Sequence, residues 1–460
     1  MRGMETGKTR IRHEVFTEIA RMAYEGGDYA QRLEELPYKI CPGDPDEIGP
    51  FRNNLLIERA VVGERLRLAM GLPMRKLGVH NNISDSVEET VIAEKYYEPP
   101  LINVIKFACN RCPDNIIKVT NGCQGCIEHP CIEICPKKAI SKVDGHAHID
   151  PDKCVRCGRC MDACSFSAII RQERPCKKAC GIAAIGKDEL GRAAIDYKKC
   201  TSCGQCLVNC PFGAISDKSY IVDIIETLKG SDNSKNYKVY AVVAPSIASQ
   251  FSYAKLDQVV TAIKQLGFHS VVEAALGADM VAYKESKELA EKGFLTSSCC
   301  PAFVMYIEKA FPTMTDKISH NLSPMAEIAK YIKDSDPTAK VVFIGPCTAK
   351  KMEVQWDKVK PYVDYAMTFE ELQAIFDSKD IEVSELEGTE LDNASYYGRI
   401  FARCGGLADA VAEALKEQGN EDFKLNGLSC DGIEECKRAL MRASKNLLPN
   451  NFIEGMACVG

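Results

Sequence analysis

Apolar residues recur at helical spacing in two stretches near the start of the chain. The first stretch runs from Ile11 to Tyr24 and the second from Leu55 to Met70, and the breaker-rich sequence that begins at Cys41-Pro-Gly lies between them. Apolar side chains at intervals of three and four residues form one face of a helix, whereas Pro and Gly interrupt helices. The pattern predicts a mainly helical region over residues 1–100. We find no candidate chemistry there and expect Cys41 to be a buried or loop thiol.

The pattern changes after residue 217. Continuous apolar runs at Tyr240–Ala244 and Val341–Ile344 predict buried strands, and each run leads directly into a loop that contains proline. Helical patterns lie between and around these strands, at Leu256–Leu266, Met280–Lys292 and Pro301–Ala310. Strands that alternate with helices are typical of an α/β sheet, in which sites form at the carboxyl ends of the strands. We therefore predict one α/β domain over residues 218–460.

Cysteine is concentrated in residues 101–217, which separate these two regions. Of the 24 cysteines in the chain, 16 lie between Cys109 and Cys210. One unit repeats four times, a cysteine, three residues, a second cysteine, three residues and Ala-Ile, at Cys131/Cys135/Ala139-Ile140, Cys160/Cys164/Ala168-Ile169, Cys176/Cys180/Ala184-Ile185 and Cys206/Cys210/Ala214-Ile215. Three of the units follow a C-x2-C pair, and one further pair is left over; the pairs are Cys123/Cys126, Cys154/Cys157, Cys200/Cys203 and Cys109/Cys112.

These cysteines divide evenly into four [4Fe-4S] clusters. A tight loop places three thiolates around one cubane, and the fourth cysteine of the motif ligates the neighbouring cluster. Crossed ligation of this kind predicts four sets, which are set A (Cys123, Cys126, Cys131, Cys164), set B (Cys135, Cys154, Cys157, Cys160), set C (Cys109, Cys112, Cys176, Cys210) and set D (Cys180, Cys200, Cys203, Cys206). An alternative crosses Cys164 with Cys210 and skips the third unit. Isolated C-x2-C pairs also bind zinc, and dense cysteines form disulfides in small secreted proteins, but ordered repeats in a long chain favour clusters.

Composition and charge exclude several other functions. Hydrophobic residues make up 46% of the chain and charged residues 27%, which is typical of globular proteins. A net charge of -6 and a pI near 5.8 give no reason to expect a nucleic acid partner. The N-terminus leads into no apolar signal segment, and no apolar run approaches the ~20 residues of a membrane span. We expect a cytoplasmic protein without a membrane span.

Three more cysteine segments lie in the predicted α/β domain. They are Leu295-Thr-Ser-Ser-Cys299-Cys300-Pro-Ala-Phe303, Phe343-Ile-Gly-Pro-Cys347-Thr-Ala-Lys-Lys-Met-Glu353 and Phe452-Ile-Glu-Gly-Met-Ala-Cys458-Val-Gly460. Pro301 suits the first position of a helix, and the positive end of a helix favours thiolate. Taken one at a time, each cysteine is better explained as a buried structural thiol.

Together the three segments resemble the signatures of [FeFe]-hydrogenases. The likeness extends over roughly residues 150–460 and includes Ala244-Pro245, Gly277-Ala-Asp-Met280, Ser319 and the Cys404-Gly-Gly-Leu stretch. The first 100 residues and the additional clusters resemble the subgroup that has an extended ferredoxin-like region. The resemblance implies an α/β hydrogenase domain preceded by α+β ferredoxin-like 4Fe-4S modules and a mainly helical N-terminal region.

The resemblance also implies a cofactor and roles for individual residues. The cofactor is the H-cluster, a [4Fe-4S] cubane joined to a diiron subsite that carries CO, cyanide and a bridging dithiolate. The resemblance implies that Cys300, Cys347 and Cys458 are ligands of the cubane. It implies that Cys299 donates protons and that a proton path continues through Glu285, Ser319 and Glu288. It further implies that Lys350 pairs with a cyanide near Glu353, and that the diiron pocket is lined by Ala244, Pro245 and Met456. Without the resemblance, Glu285 and Glu288 read as one solvated helix face, because positions three apart share a face.

One departure from the family pattern concerns the fourth cubane ligand, which in the family follows the Cys458 position by four residues. This sequence ends at Gly460, which is expected of a fragment or of a truncated product. Cys404, Cys430 and Cys436 are possible substitutes.

The implied activity is that of a ferredoxin-type hydrogenase, with reversible reduction of protons to H2. Its implied partners are ferredoxin or a similar electron carrier and the hydrogenase maturation proteins. The alternatives are a hydrogenase-like iron–sulfur assembly protein and a redox sensor or electron-carrying subunit.

Overall fold

The N-terminal region is helical, as its pattern predicts. The computed structural model describes residues 6–76, 78–91, 100–420 and 422–458. Three α-helices and one 3-10 helix lie within the described part of residues 1–100, namely α1 (Gly7–Glu25), α2 (Tyr29–Ile40), α3 (Leu55–Ala69) and the 3-10 helix Val87–Val91. Side chains cap the amino ends, since Thr6, Asp28 and Asn54 accept hydrogen bonds from backbone N–H groups of the first turns. Cys41 is fully buried at the end of α2, as expected.

The cysteine-rich region consists of short strands and single-turn helices. Its elements are β1 (Ile102–Val104), β2 (Ile116–Val119), α4 (Pro130–Glu133), β3 (Ile140–Val143), β4 (His146–Ile149), α5 (Arg159–Asp162), β5 (Ile169–Gln172), α6 (Pro175–Lys178), β6 (Ile185–Lys187), β7 (Ala193–Ile195), α7 (Gln205–Asn209) and β8 (Ile215–Asp217). The strands form antiparallel pairs of β1 with β8, β2 with β5, β3 with β4, and β6 with β7.

These pairs show that one ferredoxin-like module is nested inside another. The β2–β5 pair closes an inner module that carries sets A and B, and the β1–β8 pair closes an outer module that carries sets C and D. The buried guanidinium of Arg174, just after the inner module, donates to the carbonyl of Cys112, just before it, at 3.0 and 3.2 Å. The ends of the inner module are therefore held together.

The remaining residues form the α/β domain. Its helices and strands are α8 (Ile221–Gly230), β9 (Val239–Val243), α9 (Leu256–Gln265), β10 (Ser270–Glu273), α10 (Ala274–Lys292), β11 (Leu295–Thr296), α11 (Pro301–Ala310), α12 (Pro324–Ser335), β12 (Lys340–Gly345), α13 (Thr348–Glu353), β13 (Tyr365–Thr368), α14 (Phe369–Ser378), α15 (Tyr396–Ile400), α16 (Gly406–Glu417), β14 (Gly427–Asp431), α17 (Ile433–Ala443) and β15 (Phe452–Met456). Three 3-10 helices accompany them within the described residues of this domain, at Pro245–Ser249, Pro312–Lys317 and Val383–Glu385. A further one, Lys106–Ala108, lies in the cysteine-rich region.

Two parallel sheets organise this domain. The first has the order β10-β9-β12-β13 and the second the order β11-β15-β14. Their apolar strands lie in the buried core, as expected for parallel sheets covered on both faces. The cysteine segments follow β11, β12 and β15, so the carboxyl ends of these strands position the site.

A buried charge network joins the three regions. Arg12 on α1 contacts Asp217 at 3.2 Å and Glu370 at 2.9 Å, and the fully buried Lys351 contacts Asp217 at 2.8 Å and Glu371 at 2.6 Å. Burial alone would raise the pKa of Asp217, but Lys351 and Arg12 lower it to about 2. The N-terminal helices are thereby tied to both the cysteine-rich region and the α/β domain.

The helices of the described residues give one further finding: none is long and apolar enough to cross a bilayer.

Candidate functional site

Three of the four cysteine sets surround cavities. The four thiols of set A line one cavity with Ile127 and Phe166. Those of set B line a second, and those of set D line a third. Each set draws three cysteines from one loop and one from the neighbouring unit, as crossed ligation predicts. All 24 cysteines are free thiols.

Set C is brought together from three segments, which carry Cys109 and Cys112, Cys176, and Cys210. Burial, together with the charges of Cys210, Cys109 and Cys112, raises the pKa of Cys176 to about 11. The pKa of Cys112 is raised in the same way by burial, Cys210 and Cys109. These four thiols are therefore near neighbours, and Cys210 lies with set C while Cys164 lies with set A. The structure does not bring together the alternative pairing that crosses Cys164 with Cys210.

The repeats share one backbone geometry. The second residue between the cysteines of each C-x2-C pair has a positive φ, with values of 52° at Arg111, 59° at Gly125, 60° at Arg156 and 55° at Ser202. The third residue after the last cysteine of each unit also has a positive φ, at Lys138, Ser167, Ala183 and Gly213. Non-glycine residues rarely adopt this conformation, and it persists where the surroundings require it. The turns direct thiols and backbone N–H groups toward each cavity.

Backbone N–H groups donate to the thiols in all four sets. Cys123 accepts from Ala147 at 3.4 Å in set A, Cys135 from Ala139 at 3.3 Å in set B, Cys109 from Ala193 at 3.3 Å in set C, and Cys180 from Ala184 at 3.3 Å in set D. Hydrogen bonds to cluster sulfurs are one of the means by which a protein sets a cluster's reduction potential.

The sets follow one another toward the α/β domain. Sets A and B share an apolar cluster, and Cys206 of set D is close enough to Cys176 of set C for their charges to interact. Ile117 lines the set B cavity and lies only a few residues after Cys112 of set C, so set B is the neighbour of set C. The sets therefore follow the order A, B, C, D. Finally, Cys203 of set D packs with Cys300 and Cys347 of the α/β domain around Ala302, Ala349 and Ala457.

A tight loop contact reinforces this junction. The hydroxyl of Thr348 donates to the carbonyl of Ser202 at 3.3 Å, and any side chain at Gly204 would collide with Thr348. Gly204 also has a φ of 77°, which favours glycine. Set D is thereby held against the loop that carries Cys347.

The cysteines of the α/β domain converge on this junction. Cys300 and Cys347 are the N-cap residues of α11 and α13, and Cys458 follows β15. The pKa of Cys347 is raised to about 12 by burial and by Cys300 and Cys458, while Lys350 opposes the increase. Three thiols from distant segments therefore meet beside set D.

Lys350 and Glu353 lie beside this convergence. The Lys350 ammonium contacts the Glu353 carboxylate at 2.6 Å and donates to the carbonyl of Cys299 at 3.2 Å. The other carboxylate oxygen of Glu353 accepts from Ser323 at 2.5 Å. Burial, Cys300, Glu285 and Glu454 raise the pKa of the Cys299 thiol well above its usual value, while Lys350 opposes the increase.

Glu285 is fully buried, so the solvated-face interpretation is wrong for this residue. Neither of its carboxylate oxygens has a hydrogen-bond partner in the described part of the chain. Burial raises its pKa to about 8; Glu288 and Glu454 contribute to the increase, while Ser319 and the backbone of Ser298 oppose it. Helices α12 and α16 pack on α10 and exclude water from this position.

A chain of polar side chains runs from Glu285 through Ser319 and Glu288 to the surface. The hydroxyl of Ser319 donates to Glu288 at 3.3 Å. Glu288 also contacts Lys292 at 2.7 Å, the ring of His320 at 2.6 Å and the side-chain amide of Asn321 at 2.9 Å. His320 is 70% exposed, so this end of the chain of polar groups reaches solvent.

Ala244, Pro245 and Met456 flank the convergence at strand ends. Ala244 follows β9 and packs against Gly345, at the end of the strand that leads to Cys347. Pro245 begins the next 3-10 helix. Met456 ends β15, half-buried, two residues before Cys458.

The possible substitute ligands lie around the same junction. Cys430 and Cys436 are buried in one apolar cluster with Cys300 at its edge, and the Cys436 thiol contacts the Met456 carbonyl at 3.5 Å. Cys404 is half-buried, and burial, followed by the charges of Glu454 and Asp431, raises its pKa to about 11.

The sequence interpretation missed four residues around the path to the surface. Lys292, His320 and Asn321 contact Glu288, and the buried Glu454 accepts backbone N–H groups of Gly405 at 2.8 Å and Ala408 at 3.0 Å. A partial signal existed for Lys292, since it lies four residues after Glu288 on one helix. No spacing marks His320 or Asn321.

Comparison with known proteins places these residues in a family. Residues 237–460 match the model of the iron only hydrogenase large subunit, C-terminal domain. Residues 147–170 match a 4Fe-4S binding domain, and residues 171–221 match the LdpA Fe-S cluster-binding domain.

Individual relatives include hydrogenases and one assembly factor. Iron hydrogenase 1 of Clostridium pasteurianum is 28% identical over 442 residues, which cover 83% of this chain and 75% of that protein. The cytosolic Fe-S cluster assembly factor NAR1 of Eremothecium gossypii is 28% identical over 153 residues, 31% of this chain and 34% of that protein. A solved [FeFe]-hydrogenase from Chlamydomonas reinhardtii aligns with 20% identity and a TM-score of 0.42 over 51% of this chain and 81% of that one. Residues 237–460 belong to the iron-only hydrogenase large subunit family, and 4Fe-4S binding domains precede them in the chain.

Proposed function

We propose that this protein is an [FeFe]-hydrogenase that interconverts H2 with two protons and two electrons. The observation that carries the proposal is the convergence of Cys300, Cys347 and Cys458, with Cys299 and Lys350 beside them, at the inner end of an ordered series of cysteine sets. The related hydrogenase from Clostridium pasteurianum supports it.

The four sets would hold four [4Fe-4S] clusters that conduct electrons. Four cysteines around a cavity, with N–H groups directed at their sulfurs, fit a cubane, whereas a zinc ion is held in direct contact by its four ligands. The order from set A to set D ends where Cys203 packs against Cys300 and Cys347. Electrons would therefore reach the α/β domain at its cysteine junction.

The residues of the α/β domain fit an H-cluster. Cys300, Cys347 and Cys458 would be cubane ligands. Two of these cysteines begin helices, whose positive ends would offset part of the burial that raises the pKa of Cys347. When bound, this cofactor supplies the two-electron chemistry of protons and H2. The ammonium of Lys350 is buried next to Cys299 and would pair with an anionic cyanide, while Glu353 balances and orients it. Ala244, Pro245 and Met456 would line the diiron pocket.

Proton transfer would use groups of this chain. Cys299 would hold and deliver the proton at its sulfur, with Glu285 behind it. The pKa of Glu285 near 8 allows this carboxyl to take up and release protons close to neutral pH, as a relay requires. Ser319 and Glu288 would pass the proton onward, and the contact of Glu288 with exposed His320 would connect the path to solvent.

Infrared spectroscopy of the matured protein tests this proposal directly. The protein is produced anaerobically with hydrogenase maturation proteins, in a form extended after Gly460 by a segment that supplies the fourth cubane cysteine, and H2 evolution is measured with dithionite-reduced methyl viologen. We expect CO and cyanide bands together with H2 evolution. Iron–sulfur clusters without either signal would instead indicate a non-catalytic role of the kind suggested by the NAR1 relative, in assembly, redox sensing or electron transfer.

A further inference from the structure

The two outermost cavities differ in charge. Three cations, Lys137, Arg156 and Arg159, line the cavity of set B, and no carboxylate lines it among the described residues. The cavity of set A is lined by one carboxylate, that of Glu128, and by no cation of the described chain. No charged side chain of the described residues lines the cavity of set D.

The cations of set B are exposed and have no ion-pair partner within the described residues. Other cations of the cysteine-rich region are paired, as in Lys106 with Asp188, Lys177 with Asp114, and Lys178 with Glu173. Neighbouring carboxylates thus neutralise many of the cations elsewhere, but leave the positive charge around set B available to a partner.

Set B is also the most accessible of the four sets. Cys157 is the one exposed thiol among the sixteen cysteines of the sets, and the adjacent Val155 side chain is 55% exposed. Electron transfer requires close approach to a cluster, and a small apolar contact ringed by charge is typical of a transient protein interface.

We infer that an acidic electron-carrier protein docks on the face formed by Lys137, Val155, Arg156, Cys157 and Arg159, and exchanges electrons with the cluster of set B. This inference rests on the proposed function and specifies where its electrons enter or leave. Electrons then pass from set B to sets C and D, and set A is a side branch. Charge complementarity at this face speeds encounter and makes it dependent on salt.

The experiment uses the full matured chain and an acidic bacterial 2[4Fe-4S] ferredoxin as the probe. The variant Lys137→Glu/Arg156→Glu/Arg159→Glu reverses the charge of the face, and Lys264→Glu/Lys424→Glu/Lys445→Glu is the matched control on exposed lysines of the α/β domain. For the first variant we expect the Kd and the KM for ferredoxin to rise about ten-fold or more at low salt, with a much weaker salt dependence. The control is expected to change both by less than about two-fold.

Methyl viologen separates docking from catalysis, because this small cationic donor does not need the face. The viologen-driven rate of the charge-reversed variant is expected to stay within about two-fold of the original. An unchanged Kd and KM for ferredoxin would overturn the inference, as would equal losses in both triple variants. A changed potential of the set B cluster in a redox titration, with an unchanged ferredoxin Kd, would also overturn it, because the cations would then serve the cluster. Ferredoxin binding is measured by calorimetry without turnover, so absence of H2 evolution would refute the proposed function and leave the docking test intact.

Discussion

The cysteine-rich region and the α/β domain assemble their cysteines in different ways. In the cysteine-rich region sets A, B and D each take three thiols from one short loop and set C takes two, and the same positive-φ positions recur in all four repeats. In the α/β domain, Cys300, Cys347 and Cys458 come from three segments that only the parallel sheets bring together. The first arrangement is encoded locally and the second depends on the whole fold. Loss of a cysteine in the cysteine-rich region should therefore affect one set, whereas loss of a cysteine in the α/β domain should affect the site that the whole fold assembles.

The largest expected effect comes from removing a thiol in either region of the matured chain. We expect Cys300→Ala to lose H2 evolution and the CO and cyanide bands, yet to keep about sixteen relay irons, since a [4Fe-4S] cluster has four irons and four cysteine ligands. Cys126→Ala should lose about four irons from set A and keep the infrared bands. Iron analysis and infrared spectra measure both. Loss of the infrared bands in Cys126→Ala would show that the two regions are not independent.

The second effect separates the roles of the adjacent residues Cys299 and Cys300. Because Cys299 is assigned to proton delivery and Cys300 to ligation, Cys299→Ala should keep every cluster signal and lose about 10²–10⁴-fold in H2 turnover. Cys41, in the N-terminal helical region, offers a cysteine control outside both groups of cluster ligands, and Cys41→Ala should stay within a few-fold of the original rate. Full activity of Cys299→Ala would contradict the proton-donor assignment.

A third effect concerns the charge network that joins the regions. Asp217→Asn removes one of the two carboxylates that contact the fully buried Lys351, and loss of a buried ion-pair partner costs about 3–5 kcal/mol. The free energy of unfolding from denaturant titration at neutral pH measures this cost. Glu413→Gln, which breaks the exposed pair with Lys416, should change it by no more than about 0.5 kcal/mol. Similar small changes in both variants would show that the network contributes little.

The smallest effect depends on pH and concerns Glu285. Its folded pKa of about 8 lies above the ordinary carboxyl value, so the folded protein keeps a proton that the unfolded chain releases above about pH 4.3. The associated stability is present below that value and is lost as the pH rises through 8. Glu285→Gln carries no such titration, so its melting temperature relative to the original protein should rise by several degrees between pH 5.5 and 8.5.

Thermal unfolding across this pH range tests the Glu285 prediction. Glu291→Gln, an exposed change on the same helix, should show no comparable trend. A constant difference between Glu285→Gln and the original protein at all pH values would mean that Glu285 titrates normally.

Much of the cysteine chemistry could be predicted because it follows short spacings. The repeated units led to the four sets, including set C, whose members span Cys109 to Cys210, and the structure brings each set together. Strands β9 and β12 were predicted to within one residue at their ends, since buried parallel strands are continuous apolar runs. The roles of the cysteines remain proposals.

Long-range charge and burial could not be predicted. Lys351 and Asp217 are 134 residues apart, and no local pattern marks them as partners. Helical spacing correctly placed Glu285 and Glu288 on one face, but only the packing of α12 and α16 against α10 decides that Glu285 is buried. The surface contacts of His320 and Asn321 depend on a loop whose conformation has no sequence periodicity.

Because one ferredoxin-like module is nested inside the other, the number of cysteine sets in such a chain can change in a simple way. The inner module leaves and rejoins the chain through adjacent antiparallel strands, where Ile116 faces Gln172, so a short turn can bridge its ends. Excision between Cys112 and Arg174 removes sets A and B as one cassette, with Arg174 still able to reach the Cys112 carbonyl. The shortened protein would retain the outer module and its contact with the hydrogenase domain. The number of cysteine sets could therefore change by two without a change in the outer module or the α/β domain.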